Sequence, residues 1–313
     1  MFTSYLEIRA IQKKLEPFIH NTPILTSSTF NSISGCDAYF KCENFQRMGA
    51  FKMRGALNAI LNLSGNDRRK GVTTHSSGNF AQAVALSSKI MGISATVIMP
   101  SSAPSVKKNA VRGYGANIIE CEPTLASREK TTEEFIRKTG AILLHPSDQK
   151  DVIDGNSSAA LELLDSIPDL EAIIAPVGGG GLLAGTALAA KAVNPAVQVF
   201  AGEPLGADDA YRSLKLGSIQ PCINPQTMAD GLKTQLGKHN FPIIQKYVTE
   251  IIRVEEVEII NAMKWIWERM KIIIEPSSAV AVAAILKEQK WFKGKKTGII
   301  LSGGNVEMDK LPF

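Results

Sequence analysis

Four short segments of the chain combine small, hydroxylated and basic residues in ways that chemistry can use. Phe51-Lys52-Met53-Arg54-Gly55 sets a lysine among apolar neighbours at the start of a helical pattern, GALNAILNL. A helix N-terminus disfavours an ammonium and partial burial penalises its charge, so Lys52 is a candidate amine for imine formation. Taken singly, a lysine is more commonly a solvated surface group. Thr74-His75-Ser76-Ser77-Gly78-Asn79 opens a helix at Phe80 with hydroxyls and backbone amides suited to a carboxylate, although the same residues are good helix caps. Gly178-Gly179-Gly180-Gly181 follows AIIAPV and precedes an Ala/Leu-rich helix. Without Cβ atoms, its amides can approach a phosphate at the positive end of that helix, or the run is a tight structural turn. It matches neither GxGxxG nor GxxxxGK[ST], which argues against dinucleotide and Walker-type sites. Ser302-Gly303-Gly304-Asn305, after TGIIL, is the fourth, and alone it carries no chemistry. A further segment, Glu203-Pro-Leu-Gly-Ala207-Asp208-Asp209, spaces two carboxylates six residues apart. With a carbonyl between them it can offer hard oxygen ligands to Mg²⁺ or Ca²⁺, or it is an ordinary acidic loop.

These segments need a scaffold, and the chain alternates strand-like and helical patterns. Apolar, β-branched runs occur at 38–43, 95–100, 116–120, 141–146, 172–177, 197–203, 250–254 and 297–304. Helix patterns such as FAQAVALSSKIMG and EVEIINAMKWIWERMK lie between them, which predicts βα units and parallel sheets. ATVIMP and TGIIL lack period-2 alternation, as expected of strands covered on both faces. At 313 residues the chain exceeds the roughly 250 at which a single core usually divides. With no linker visible, the expectation is an α/β fold of two lobes that the chain crosses between more than once. A small lobe at 53–144 is inserted into a large one formed by 1–52 and 145–313, and the cleft between them is the default ligand site. Ligands in open α/β sheets gather at the carboxyl ends of strands.

Composition narrows the classes. The net charge of +5 arises from 35 basic and 30 acidic residues spread along the chain, without the basic stripe that nucleic acid requires. Cys36, Cys42, Cys121 and Cys222 show no CxxC spacing, so free thiols in a reducing, cytoplasmic setting are expected. The N-terminal segment reads as an amphipathic helix instead of a signal peptide. The uncharged stretch 172–190 approaches membrane-spanning length and contains Gly181-x-x-x-Gly185, but Pro176 and four glycines would interrupt a span. Strand, loop and helix account for it better, and no membrane partner is expected.

Taken in order, FKMRGA, THSSGN, PVGGGGLLAG, GEPLGADD and LSGGN resemble the fold-type II pyridoxal-phosphate family over nearly the whole chain. The similarity is to its serine racemase and serine/threonine dehydratase branch. The resemblance implies pyridoxal 5'-phosphate held as an imine on Lys52, with Phe51 against the ring and Asn79 at its 3-oxygen. The Gly178–Gly181 loop would cradle the phosphate and Ser302 would face the pyridine nitrogen. A neutral hydroxyl there weakens the electron sink, which suits α,β-elimination from L-serine or L-threonine to keto acid and ammonia. Lys52 would remove the Cα proton, the β-hydroxyl would leave with proton assistance from the cofactor phosphate, and the small amino-acid substrate would be held by Ser76, Ser77, Asn79 and Arg128. Ser77 matches the residue that racemases use on the opposite face, so serine racemisation is permitted. Glu203, the Ala207 carbonyl and Asp209 would hold a structural Mg²⁺ or Ca²⁺. A homodimer is implied by the resemblance alone.

The chain departs from the pattern at Phe80, where relatives commonly have histidine, and at Ala81, Ser147 and Asn156-Ser157-Ser158. These departures leave the preferred substrate open. Dehydration of 3-hydroxyaspartate is the alternative and requires a cation such as Arg128 near the β-carboxylate. A cysteine-synthase-type transferase is opposed by the acidic loop, and a non-catalytic metabolite-binding protein by Lys52, Ser77 and Ser302. With the sequence stopping at Phe313, no C-terminal regulatory domain or isoleucine feedback is expected.

Overall fold

The computed structural model describes residues 2–103 and 105–313. Ten strands form two sheets among these residues: β1 Ile24–Leu25, β2 Asp37–Cys42, β3 Val72–His75, β4 Ala95–Pro100, β5 Asn117–Cys121, β6 Ile142–Leu143, β7 Ala172–Pro176, β8 Gln198–Pro204, β9 Val248–Val254 and β10 Lys296–Leu301. The larger sheet runs β1-β2-β10-β7-β8-β9 and is parallel except for β1. The smaller runs β5-β4-β3-β6, is wholly parallel, and draws every strand from residues 72–143.

The absence of alternation in the central strands has a direct cause. Ile173, Ala175, Val199, Ala201 and Ile300 enter one apolar core, while Ala172, Ile174, Phe200, Ile299 and Leu301 enter another. Successive residues of a strand point to opposite faces, so both faces of this sheet are buried and both must be apolar. The uncharged stretch at 172–190 resolves into β7, the glycine loop and helix Gly181–Val193. No helix among the described residues is long and apolar enough to cross a membrane.

Sheet order determines where a ligand can sit. The chain leaves β7 toward β8 on one side and has β10 on the other, so the ends of β7 and β10 flank a topological switch point. The glycine loop follows β7 and the Ser302–Asn305 segment follows β10. In the smaller sheet the switch lies between β3 and β6, whose ends lead into the Ser76–Asn79 turn and the segment from His145 to Asp148.

The helix Lys52–Leu61 joins the two halves by packing on helices Asn79–Met91 and Lys150–Ser166. Its approach to the second of these is close enough to require glycine on both sides: a Cβ on Gly55 would lie 2.7 Å from the Val152 carbonyl oxygen, and one on Gly155 2.6 Å from that of Arg54. The buried Arg54 guanidinium then anchors this helix. It donates to Glu43 at 2.7 and 2.9 Å and to Glu162 at 2.7 and 2.8 Å, and Lys41 pairs with Glu162 at 2.6 Å. Such a network fixes geometry because each buried charge is unfavourable without its partners.

The sequence-based elements differ from the structure in three places. The short, hydroxyl-rich β3 and the two-residue β1 carry too little apolar signal to stand out. The long pattern from Glu256 is helical to Trp265 and then widens into a π-turn, Ile266–Met270, ending at Lys271 with φ +60°. Lys52 is reached from β2 through two 3-10 turns, Glu43–Phe45 and Arg47–Gly49.

Candidate active site

Lys52 is the first residue of its helix, and its Nζ donates to the Pro146 carbonyl at 2.7 Å. The amine lies 4.9 Å from the Phe51 ring centre and 5.6 Å from that of Phe80. Burial pushes it down to about 8, and the Glu275 carboxylate partly offsets that effect. An amine with that value is about a tenth neutral at pH 7 and about half neutral at pH 8, and it is the neutral form that both imine formation and proton abstraction require.

The terminal segment is paired to the lysine's turn. Phe51 N donates to the Ser302 carbonyl at 3.0 Å, Gly304 N to the Gly49 carbonyl at 2.9 Å, and Ala50 bridges Gly303. Ser302 itself is buried. Two motifs far apart in the chain therefore share a single stretch of backbone hydrogen bonds.

Asn79, the first residue of its helix, crosses from the small sheet to this segment. Its Nδ2 donates to both oxygens of Glu275, at 2.9 and 3.1 Å, and its Oδ1 accepts from Asn305 Nδ2 at 2.8 Å. Asn305 N completes the set on Glu275 at 3.1 Å. Burial pushes Glu275 up to about 7, against the lowering effect of its Asn79 and Asn305 hydrogen bonds. Sequence inspection missed Glu275. Its signal is a single carboxylate between the apolar run Ile272–Ile274 and the helix beginning at Pro276.

The glycine loop ends at Gly180, whose φ of +80° belongs to the left-handed region that favours glycine, and Gly181 begins the helix. The first amides of that helix lack intrahelical acceptors and point toward any anion bound there. Buried Asn240 fixes the loop by donating from Nδ2 to the Gly179 carbonyl at 2.8 Å and the Ser147 carbonyl at 3.3 Å. A Cβ on Gly181 would meet the Ser147 carbonyl oxygen at 2.7 Å, so Ser147 walls the loop closely. Ser76 and Ser77 sit half-buried in the opposing turn, where Gly78 N donates to Ser76 Oγ at 3.4 Å. Arg128 lies on helix Leu125–Thr139, outside this hydrogen-bonded set, and its charge adds to burial in holding His75 below its usual range.

The acidic loop forms a separate cluster at the end of β8. Both oxygens of buried Glu203 accept backbone hydrogen bonds, from Ala210 and Tyr211, each at 2.8 Å. Neither oxygen of buried Asp209 has a hydrogen-bond partner; the Cys222 thiol and Leu236 amide lie near without completing one. Burial raises Glu203 well above its ordinary value and Asp209 to about 6. Two desolvated acids, one with orphaned oxygens, fit a site that a cation would satisfy. The described residues contain no group of three or more His, Cys, Asp or Glu side chains suited to a metal, which limits the side-chain ligands here to the two carboxylates.

Comparison with known proteins places this geometry in context. The pyridoxal-phosphate dependent enzyme family matches residues 15–303. The chain is 51% identical over 311 residues to the serine racemase of Dictyostelium discoideum, covering 97% of this chain and 95% of that protein. It is 44% identical over 310 residues to the beta-hydroxyaspartate dehydratase of Paracoccus denitrificans, covering 99% and 98% respectively. The crystal structure of the Dictyostelium serine racemase superposes with a TM-score of 0.94 at 52% identity, over 98% of this chain and 99% of that one. With a buried amine of lowered pKa, a glycine-lined helix N-terminus and a family match that takes in Lys52, the glycine loop and Ser302, this chain belongs to the pyridoxal-phosphate-dependent enzymes of fold type II.

Proposed function

We propose that the chain removes water from a β-hydroxy α-amino acid, L-serine or L-threonine, releasing a keto acid and ammonia, and that it racemises serine in a parallel reaction. The observation that carries this proposal is the Lys52 amine, held near pKa 8 against the Pro146 carbonyl, with Phe80 from the opposing turn beside it. Pyridoxal phosphate, when bound, supplies the electron sink for the Cα–H bond. The neutral fraction of Lys52 removes that proton from one face, and the Ser77 hydroxyl exchanges a proton on the other, which racemisation requires. Gly178–Gly181 would hold the phosphate at the helix N-terminus, Phe51 would pack on the ring, Asn79 would reach its oxygen and Ser302 would meet its nitrogen. The hydroxyls of Ser76 and Ser77 and the backbone of their turn take the substrate carboxylate. The serine racemase similarity supports this assignment.

The four-stranded sheet, confined to 72–143, supports a small lobe at 53–144 and a large lobe at 1–52 and 145–313. Glu203, the Ala207 carbonyl and Asp209 would hold a structural Mg²⁺ or Ca²⁺, which would neutralise the acids at the end of β8. The free cysteines suit the cytoplasm, and a homodimer follows from the family alone.

A second substrate, L-threo-3-hydroxyaspartate, is favoured by Arg128, whose charge reaches His75 beside the carboxylate-binding turn, and by the Paracoccus relative. The deciding experiment incubates the holoenzyme with L-serine, L-threonine and L-threo-3-hydroxyaspartate, following keto-acid release and chiral composition. Turnover of serine or threonine that vanishes in Lys52→Ala supports the first assignment. Turnover of hydroxyaspartate alone, lost in Arg128→Ala, transfers it to the second. No keto acid from any of the three overturns both.

A further inference from the structure

The four residues His145-Pro146-Ser147-Asp148, just beyond β6, touch both halves of the site. Pro146 gives its carbonyl to Lys52 Nζ at 2.7 Å. Ser147 gives its carbonyl to Asn240 Nδ2, the same amide that holds Gly179, and lies against Gly179 and Gly181. Asp148 Oδ1 accepts from the backbone N–H groups of His239 and Asn240, at 2.8 and 3.0 Å. A single imidazole nitrogen closes the turn from inside: His145 Nδ1 accepts from Ser147 N at 3.2 Å and from Asp148 N at 2.8 Å. Both partners are backbone donors, so Nδ1 must be a bare acceptor and the ring proton must sit on Nε2. The arrangement is the one an Asn or Asp side chain makes in an Asx turn, built here with a group that titrates.

We propose that neutral His145 is a positioning residue for the reaction, its Nδ1 locking the turn that holds the Lys52 amine in register with the glycine loop, and that a proton on Nδ1 releases both. Protonation turns an acceptor into a donor facing two donors, so the turn cannot keep its geometry. The Pro146 carbonyl and the Ser147 wall then move together. The groups facing His145 are Asp148 in its own turn, His75 from β3 with ring centres 6.4 Å apart, Lys52 from the joining helix and His239 from the facing loop. Arg128 and Glu129 act on His75 in turn. Burial, aided by His75, Lys52 and His239 and opposed by Asp148, keeps His145 below its usual value. A depressed histidine loses its stabilising role as pH falls, because the released imidazole takes up the proton first. The inference rests on the proposed pyridoxal-phosphate reaction for its kinetic consequence, but the turn itself does not.

Two variants and one spectrum test it, all on the holoenzyme. The substitution His145→Asn places a non-titrating oxygen where Nδ1 stands, and His145→Leu removes the acceptor. Below the fall that Lys52 sets, log kcat of wild type should steepen again as His145 takes its proton, and His145→Asn should lack that second fall, with kcat at pH ~8 largely kept. His145→Leu should lose about 100-fold in kcat at pH ~8, a deficit that narrows as pH falls and wild type loses the same acceptor, with KM changed much less. Nitrogen-15 spectra of the histidines in the holoenzyme should show His145 as the Nε2–H tautomer. The same second fall kept in His145→Asn, wild-type kcat in His145→Leu at pH ~8, or an Nδ1–H tautomer would overturn the proposal. Absence of turnover by wild type at any pH, with the Nε2–H tautomer intact, would sink the proposed reaction and leave the turn standing.

Discussion

Replacing Glu275 with glutamine should remove a loss of stability that rising pH imposes on this protein without its cofactor. The carboxylate is buried, accepts from Asn79 Nδ2 on both oxygens and from Asn305 N on one, and is pushed up to about 7 from an ordinary value of 4.5. A raised carboxylate favours folding fully below its unfolded pKa, and that contribution is lost as pH rises through the folded pKa. The window is thus from about 4.5 to about 7. At about 1.4 kcal/mol per unit, the loss across it is about 3 kcal/mol. Glutamine does not titrate, so the wild-type protein should lose about that much stability relative to Glu275→Gln between pH ~4.5 and ~8. The glutamine has one acceptor oxygen where the site presents donors on two sides, which adds a pH-independent cost of about 1–3 kcal/mol. Denaturant titrations of both proteins at a series of pH values separate the slope from the offset. Parallel stability curves would refute the reasoning, as would a wild-type protein that gains stability over Glu275→Gln as pH rises. The same substitution removes the charge that props up Lys52, so the pKa of that amine should fall further below about 8.

Other expectations follow from the same geometry. Arg54→Leu strands the buried Glu43 and leaves Glu162 with Lys41 alone, and should destabilise the chain by about 3–5 kcal/mol in denaturant titrations. A loss below about 1 kcal/mol would mean that the network does not anchor the Lys52 helix. Gly181→Ala drives a Cβ against the Ser147 backbone at 2.7 Å and should cost about 1–3 kcal/mol while weakening pyridoxal-phosphate binding, read by absorbance titration. Mg²⁺ or Ca²⁺ should raise the melting temperature of wild type but not of Asp209→Asn. Because Asp209 is raised to about 6, the effect should fade as pH drops below that value and protons compete for the carboxylate.

The legible parts of the site are those whose chemistry is local. Lys52 betrays itself by its apolar neighbours and helix start, the glycine loop by needing no Cβ, and β7, β8 and β10 by apolar runs buried on both faces. β3 was hidden because Thr73 and Thr74 are buried polar residues in a four-residue strand. Arg54, Glu43 and Glu162 read as surface charges in sequence, since nothing local announces that three distant segments bury them together. Glu275 escaped for the same reason: its partners, Asn79 and Asn305, lie 226 residues apart in the chain. The sequence pointed to Ser147 as a departure from the family, but the significance of its neighbour His145 lies in a hydrogen-bond direction that only coordinates reveal.

The central claim, that Lys52 carries the cofactor, is tested most directly by covalent trapping. Purified protein saturated with pyridoxal phosphate is reduced with borohydride, digested, and mapped by mass spectrometry, with Lys52→Ala treated alongside. A single pyridoxyl adduct on the peptide containing Lys52, absent from the variant, is the predicted result; an adduct on another lysine, or none in wild type, would contradict the account.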